Sequence, residues 1–311
     1  MENAPFLHQP VLLEEVLAWL DPRPGQVLLD GTVGGGGHSA ALLERIGPDG
    51  FLYGLDQDPA ALEAATERLS KVSDRFKLIR SNFAKLGTLD LPPLDGILLD
   101  IGVSSPQLDQ GSRGFSFQQA GPLDMRMDPD APATAAELLA TLSETELARI
   151  FYEYGEERHG RRVARAIVQD RKEKPYTDTL TFAEFLKRVI PRDPSGIHSA
   201  TRVFQALRIA VNDELGVLTR VLPAAIASLK PGGKLAVISF HSLEDRIVKH
   251  FFRDAAKGCI CPGRQPMCTC GKLPSVEVLT GKPVTASASE LDCNPRSRSA
   301  KLRVARRLPE S

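Results

Sequence analysis

Four consecutive glycines, Gly34 to Gly37, stand between the apolar run Val27-Leu28-Leu29-Asp30 and a helically spaced stretch over residues 40–46. A strand, a glycine turn and a helix in that order bring backbone close to a ligand, because residues without a Cβ accept positive φ and tight approach. The rhythm then repeats. Residues 51–56 form a second apolar run, followed by helical spacing over 59–69, with Pro59 suited to a first turn. Residues 76–79 and 96–101 give a third and a fourth run. Continuous apolar runs alternating with helices predict a parallel sheet covered on both faces.

The alternation stops near Gln110. Residues 111–130 are rich in Gly, Ser, Asp and Pro, and the pattern beyond them is helical only, over 135–142, 144–154, 159–172 and 181–190. Ser143 with Glu146, and Thr181 with Glu184, have the spacing of capping boxes. A long amphipathic stretch covers 200–229, with Pro223 expected to interrupt it. Residues 230–233 read as a turn and 234–240 as a fifth strand, followed by a helix capped by Ser242 with Asp245. Two more strands are expected at 276–279 and 302–306. The predicted organisation is one α/β domain formed by 1–110 and 200–311, interrupted by an all-helical insert at 111–199.

Three ligands compete for the glycine turn Asp30-Gly-Thr-Val-Gly-Gly-Gly-Gly-His38. A phosphate-binding loop needs Gly-Lys-Ser/Thr, and no lysine is present. A dinucleotide fingerprint needs a third glycine where Ser39 stands, and it would set pyrophosphate beside the carboxylate of Asp30. The third candidate, S-adenosylmethionine, carries a sulfonium and an ammonium, and acids at strand ends suit it. Asp56 ends the second strand, where a carboxylate accepts from ribose hydroxyls. Phe83 follows the third strand as a surface for adenine, and Asp100 ends the fourth beside the methionyl part. The next residues, Gly102-Val-Ser-Ser-Pro-Gln107, form a turn whose carbonyls at Gly102 and Val103, with Asp100, are candidates to accept protons from an amine. Asp100 and Ser105 are the catalytic candidates. Helix capping for the acids and core packing for Phe83 are the plainer alternatives.

The chain of 311 residues has 39 basic and 39 acidic side chains, but they are unevenly placed. Residues 1–150 hold 22 acids and 11 bases, and residues 151–311 hold 17 acids and 28 bases. Neutral overall charge argues against non-specific coating of nucleic acid, not against one basic surface. Residues 158–174 and 296–307 are the basic runs, the second without an acid, and RNA contact is expected of the second. No apolar run approaches the ~20 residues that span a bilayer, and no basic-then-apolar leader opens the chain. A cytoplasmic location, without membrane contact, is the expectation. Cys259, Cys261, Cys268 and Cys270 cluster, with Cys293 alone. Four thiols suffice for tetrahedral zinc, but Cys-x-Cys is tighter than the usual spacing, and no metal ligand is assigned from sequence.

Longer strings are more specific. His8-Gln-Pro-Val-Leu-Leu13, the glycine turn itself, Gly96-Ile-Leu-Leu-Asp-Ile-Gly-Val-Ser-Ser-Pro-Gln-Leu-Asp109 and Arg113-Gly-Phe-Ser-Phe117 are four of them. Gly121-Pro-Leu-Asp-Met-Arg-Met-Asp128, Tyr154-Gly-Glu-Glu-Arg158 and Ala200-Thr-Arg-Val-Phe-Gln-Ala-Leu-Arg208 follow. Ile238-Ser-Phe-His-Ser-Leu-Glu-Asp-Arg246 and Asn294-Pro-Arg-Ser-Arg-Ser-Ala-Lys-Leu-Arg303 complete the set. In these strings the chain resembles the MraW family of bacterial small-subunit rRNA methyltransferases, which methylate N4 of a cytidine in the decoding region of 16S rRNA. The resemblance implies a Rossmann-like, class I S-adenosylmethionine-dependent core with an inserted all-helical domain. It implies cofactor contacts at Gly36, Gly37, His38, Asp56, Phe83, Asp100 and Gln107, of which the residues alone do not single out His38 or Gln107. It makes 16S rRNA or the small ribosomal subunit the partner, and leaves monomer or dimer open. Amino-methyltransferases often carry an aromatic after their Pro-Pro pair. Gln107 stands here instead, so the surface that stacks the cytosine is sought at Phe115 or Phe117. Methylation of another RNA or of a protein is the nearest alternative; an oxidoreductase and a non-catalytic RNA-binding module are remoter ones.

Overall fold

The structure, a computed structural model, describes residues 10–309 except 104, 195, 260, 262–266 and 268. In chain order the elements are α1 (Leu13–Leu20), β1 (Val27–Asp30), α2 (Gly37–Ile46), β2 (Phe51–Asp56), α3 (Pro59–Leu69), β3 (Phe76–Arg80) and β4 (Leu94–Asp100). Then follow α4 (Ser105–Asp109), α5 (Ala135–Thr141), α6 (Glu144–Glu153), α7 (Gly160–Asp170), α8 (Thr179–Val189), α9 (Thr201–Asn212) and α10 (Glu214–Ser228). The chain closes with β5 (Leu229–Ser239), α11 (Ser242–Ala255), β6 (Val276–Val278), α12 (Ala288–Cys293) and β7 (Lys301–Arg307).

Two compact units result: residues 1–102 with 216–311, and residues 103–215. The sequence-based boundaries, after 110 and before 200, differ from these. Helix α9 lies in the second unit because Val203, Phe204, Ala206 and Leu207 pack into its core with Phe151, Phe182 and Val163. The break before α10 falls at Asp213, whose φ is 47°, and not at Pro223, which sits inside the helix. Helix α8 is capped by Asp178, whose carboxylate accepts from the Thr181 amide, so Thr181 is inside the helix. The Ser143 capping box at α6 forms as expected.

All seven strands belong to the first unit, in the order β3-β2-β1-β4-β5-β7-β6. The first five are parallel; β7 runs antiparallel to both β5 and β6. This is a Rossmann-like α/β sheet, with chain order reversing at β1, between β2 and β4. The strands alternate residues between two cores, because successive side chains of a strand point to opposite faces. Leu28, Leu52, Leu98, Ala236 and Leu302 pack with α1 and α2, while Leu29, Leu55, Leu99, Val237 and Ala305 pack with α10 and α11. Continuous apolar runs are what such two-sided burial requires. The expected turn at 230–233 proves to be a bulge within β5: Leu94 and Gly96 pair with Leu229 and Lys234, so the four residues between have no partners across from them.

Two expectations near the C-terminal strands are corrected. Helix α11 is capped by His241 with Glu244, not by Ser242 with Asp245. Asp245 instead takes the guanidinium of Arg303 on β7, at 2.6 and 3.2 Å. The run 296–307 is therefore not a free basic tail. β7 lies inside the sheet, Arg303 is buried, Arg306 pairs with Glu277 at 2.7 Å, and Arg307 donates to the carbonyls of Ala227 and Leu229. Among the described residues no helix is long and apolar enough to cross a membrane.

Gly54 on β2 has no room for a side chain: a Cβ there would lie 2.5 Å from both Leu78 Cδ2 and Val33 Cγ2. Gly54→Ala should lower unfolding stability by about 1–3 kcal/mol, the usual cost of overpacking. Urea denaturation measures it; an unchanged midpoint would show that this contact is not tight.

Candidate functional site

Every strand from β1 to β4 ends on the same edge of the parallel sheet, and the reversal of strand order at β1 opens a crevice there. Three carboxylates meet that edge: Asp30 ends β1, Asp56 ends β2 and Asp100 ends β4. Each is placed by its neighbours in a different way.

Asp30 is buried and internally satisfied. Its Oδ2 accepts from Ser39 Oγ at 2.6 Å and its Oδ1 from the Thr32 amide at 3.0 Å. Thr32 in turn accepts the Asp100 amide on its hydroxyl at 2.6 Å. One carboxylate thus joins β1, the start of α2 and, through Thr32, the end of β4. Neither Ser39 nor Thr32 stands out in the sequence, since a hydroxyl beside a glycine turn reads as ordinary turn chemistry. Asp30 is a framework residue, not one that reaches toward a ligand.

The glycine turn folds over this anchor. Gly34 and Gly36 have φ of 52° and 75°, conformations that glycine adopts without strain. The Gly34 amide donates to Asp56 Oδ2 at 2.9 Å, and Gly36 donates to the Val33 carbonyl at 2.9 Å. Around Gly36 a Cβ would press on Ala65 of α3 at 3.2 Å, and at Gly37 on Pro10 at 2.5 Å. These two glycines let the turn sit close to its own framework. At Gly35 a Cβ would meet nothing within 4 Å. Helix α2 begins with no side-chain cap on its amides.

Asp56 Oδ1 accepts from the Asp58 amide at 2.9 Å. Each of its oxygens thus has one donor and a second lone pair still available. Phe83 opens a 3₁₀ turn after β3 and is half-buried against the β-sheet core. Its Cβ lies 3.7 Å from where a Cβ on Gly31 would be.

Asp100 differs from the other two. Its Oδ1 is buried and has no hydrogen-bond partner. Its Oδ2 lies 3.7 Å from His38 Nδ1. His38 is itself buried, with Nε2 2.9 Å from the Val11 carbonyl. A carbonyl only accepts, so Nε2 carries a hydrogen, and the other ring nitrogen, Nδ1, is the one that faces Asp100. Burial pushes the Asp100 carboxyl up to about 6, opposed by His38 and by the Gly102 amide and assisted by the charges of Asp30 and Glu244. Burial also raises Asp30, against its bond from Ser39, and raises Asp56, against its bonds from the Asp58 and Gly34 amides. Among the described residues none of the three is paired with a lysine or arginine. The edge therefore concentrates desolvated negative charge and one unmet acceptor, which calls for a cationic ligand that donates hydrogen bonds.

Gln107 and Ser105 belong to the second unit, on α4. Gln107 is buried, and the side chain of Ser105 lies outside the described residues. Within this unit Phe115 is buried in the core, which removes it as a base-stacking surface. One face of Phe117 is covered by His198, 4.6 Å away and nearly parallel. A cleft of about 340 Å³ is lined by Arg158, His159, Arg192, His198 and Arg202, among others, with Arg202 paired to Asp193 at 2.9 Å. On α7, Arg161, Arg162 and Arg165 are exposed, whereas Arg171 closes α5 by donating to the Leu139 and Leu142 carbonyls, both at 2.7 Å.

The unmet Asp100 carboxylate has a measurable consequence. Its folded value, about 6, lies above the ordinary 3.8. The folded state therefore holds this proton more tightly, and stability is lost as pH rises from 4 through 6, by on the order of 3 kcal/mol at most. Asp100→Asn removes the charge and should exceed the parent in stability at pH 8, with the gap narrowed to about half at pH 5 and closing below pH 4. Equal stability at both pH values in urea titrations would contradict the burial of this charge.

The sequence matches the MraW methylase family over residues 5–308. It is 55% identical to the ribosomal RNA small subunit methyltransferase H of Heliobacterium mobile, covering 97% of this chain and 99% of that one. It is 56% identical to the protein of the same name from Pelobacter propionicus, over 98% and 100%. It is 54% identical to that of Geobacter sulfurreducens, over 97% and 99%. Near-complete coverage on both sides extends the likeness through both units, not the sheet alone. The chain belongs to the MraW methylase family and is built as an S-adenosylmethionine-dependent methyltransferase.

Proposed function

We propose that this enzyme methylates the N4 amine of a cytidine in the decoding region of 16S rRNA, within the small ribosomal subunit. The cofactor half of this reading rests on one observation above the others, the buried Asp100 Oδ1 without a donor. The ammonium of S-adenosylmethionine supplies that donor, and its two positive groups answer the three desolvated carboxylates. Asp56, with a lone pair open on each oxygen, accepts from the ribose hydroxyls. Phe83 offers its half-buried ring to adenine. Gly36 and Gly37 present backbone. His38 holds Asp100 in place through its bond to the Val11 carbonyl. For Gln107 the support is the resemblance in sequence alone.

When bound, the cofactor supplies a methyl group already activated by sulfur. The protein has chiefly to align the acceptor. The cytosine amine has its lone pair conjugated into the ring, so acceptors for its protons help to localise it. Asp100 and the Gly102 carbonyl are the candidate acceptors, and Ser105 is a candidate to orient the amine. A stacked target base has to be turned out of its stack before the amine can reach the methyl group.

The rRNA half is supported by the names of the relatives and by the arginines of the second unit, which suit phosphate. Methylation of a different RNA or of a protein is the second reading, consistent with the family but not with the names of those relatives. Incubation with labelled S-adenosylmethionine and small subunits from a strain lacking the enzyme separates the two. Label confined to N4 of one 16S rRNA cytidine is expected. Label on another base, another RNA or a ribosomal protein would replace this reading.

A further inference from the structure

The segment between α11 and β6 is unlike the rest of the first unit. It leaves the helix at Ala255 and returns at Ser275, whose amide donates to the Ala255 carbonyl at 3.0 Å. Lys272 Nζ donates to the Asp254 carbonyl at 2.6 Å. The two ends of the loop are therefore fixed to the same end of α11. Among the described residues between them, Met267 and Leu273 are exposed at 78% and 59%. A cross-link within the loop would lower the entropy cost of ordering a segment of this length.

Three sulfurs occupy its middle. The Sγ atoms of Cys259, Cys261 and Cys270 all lie within 4.8 Å of one another. Cys270 Sγ and Cys259 Sγ are 3.8 Å apart. That is too long for a disulfide, whose bond is ~2.05 Å. It matches the edge of a tetrahedron with metal–sulfur bonds of ~2.3 Å, which is about 3.8 Å. Backbone amides point at the same atoms: Cys261 N donates to Cys259 Sγ at 3.4 Å, and Thr269 N donates to Cys261 Sγ at 3.5 Å. Amide donors of this kind favour thiolate over thiol. Three soft donors thus converge within 4.8 Å of one another, one pair of them at the edge length of a tetrahedral metal site.

We propose that Cys259, Cys261 and Cys270 hold a structural zinc ion that closes this loop. Each thiol gives its proton to solvent on ligation, and no redox step is involved. Cys268 lies outside the described residues. The site is remote in sequence from the carboxylates at the strand ends, and its loss should loosen the loop while leaving the sheet intact.

The test uses the full chain, purified without chelator, and measures zinc by elemental analysis. About one zinc per chain is expected, falling at least fivefold in Cys259→Ser and in Cys270→Ser. Reconstituting the metal-free chain with Co²⁺ alone should give the intense visible bands of a tetrahedral cobalt thiolate. Limited proteolysis should cut between residues 255 and 275 faster in the metal-free chain than in the zinc form. Intact mass under non-reducing conditions gives the competing outcome. A loss of two hydrogens with no bound zinc would mean a disulfide and would overturn the proposal. Full zinc retention in the triple Cys259→Ser, Cys261→Ser, Cys270→Ser variant would overturn it as well. Circular dichroism of each variant shows that the fold is retained.

Discussion

The bond between Asp30 and Ser39, 2.6 Å long and sealed from water, sets the geometry on which the rest of the first unit depends. A buried carboxylate is costly unless its oxygens are met, and Asp30 meets them with the first turn of α2 and the Thr32 amide. That closes the glycine turn onto the end of β1. Thr32 then fixes the end of β4 by taking the Asp100 amide, and Gly34 fixes the end of β2 by donating to Asp56. Three strand ends are held at one crevice by a short chain of bonds that begins at a residue with no direct role in chemistry.

The same chain explains why Asp100 remains unmet. With Thr32 and the backbone taking up the local donors, one buried oxygen at the end of β4 is left to a ligand. The protein tolerates a carboxyl raised to about 6 because the sheet, packed on both faces, over-determines its position. On the proposed reading, charge that is unfavourable in the free protein becomes favourable when a cation enters the crevice, and destabilisation of the free protein and affinity for the cofactor are two sides of one interaction.

Much of this was legible in the sequence, because parallel strands buried on both faces leave continuous apolar runs, and acids after such runs mark the functional edge. β1 to β4 fall where the runs predict, and so do the acids that end β1, β2 and β4. What escaped were features set by tertiary partners. Asp245 reads as a capping acid until Arg303 arrives from β7, and the cap passes to His241 and Glu244. The arginines of β7 read as an RNA-binding tail because sequence cannot show that the strand inserts between β5 and β6. The bulge at 230–233 reads as a turn because its glycines do, although the strand resumes beyond it with its register shifted. His38 looks like a helix-start polar residue; only burial against Val11 and Asp100 gives it a role. The four clustered cysteines were visible at once, but the convergence of three sulfurs was not.

The central claim is that the unmet carboxylate of Asp100 recognises the cationic end of the methyl donor. Calorimetric binding of S-adenosylmethionine and of 5′-methylthioadenosine, which lacks the amino-acid moiety, tests it in the parent and in Asp100→Asn. The substitution is expected to weaken S-adenosylmethionine at least tenfold and to leave 5′-methylthioadenosine nearly unchanged. Equal weakening of both ligands, or of neither, would contradict it.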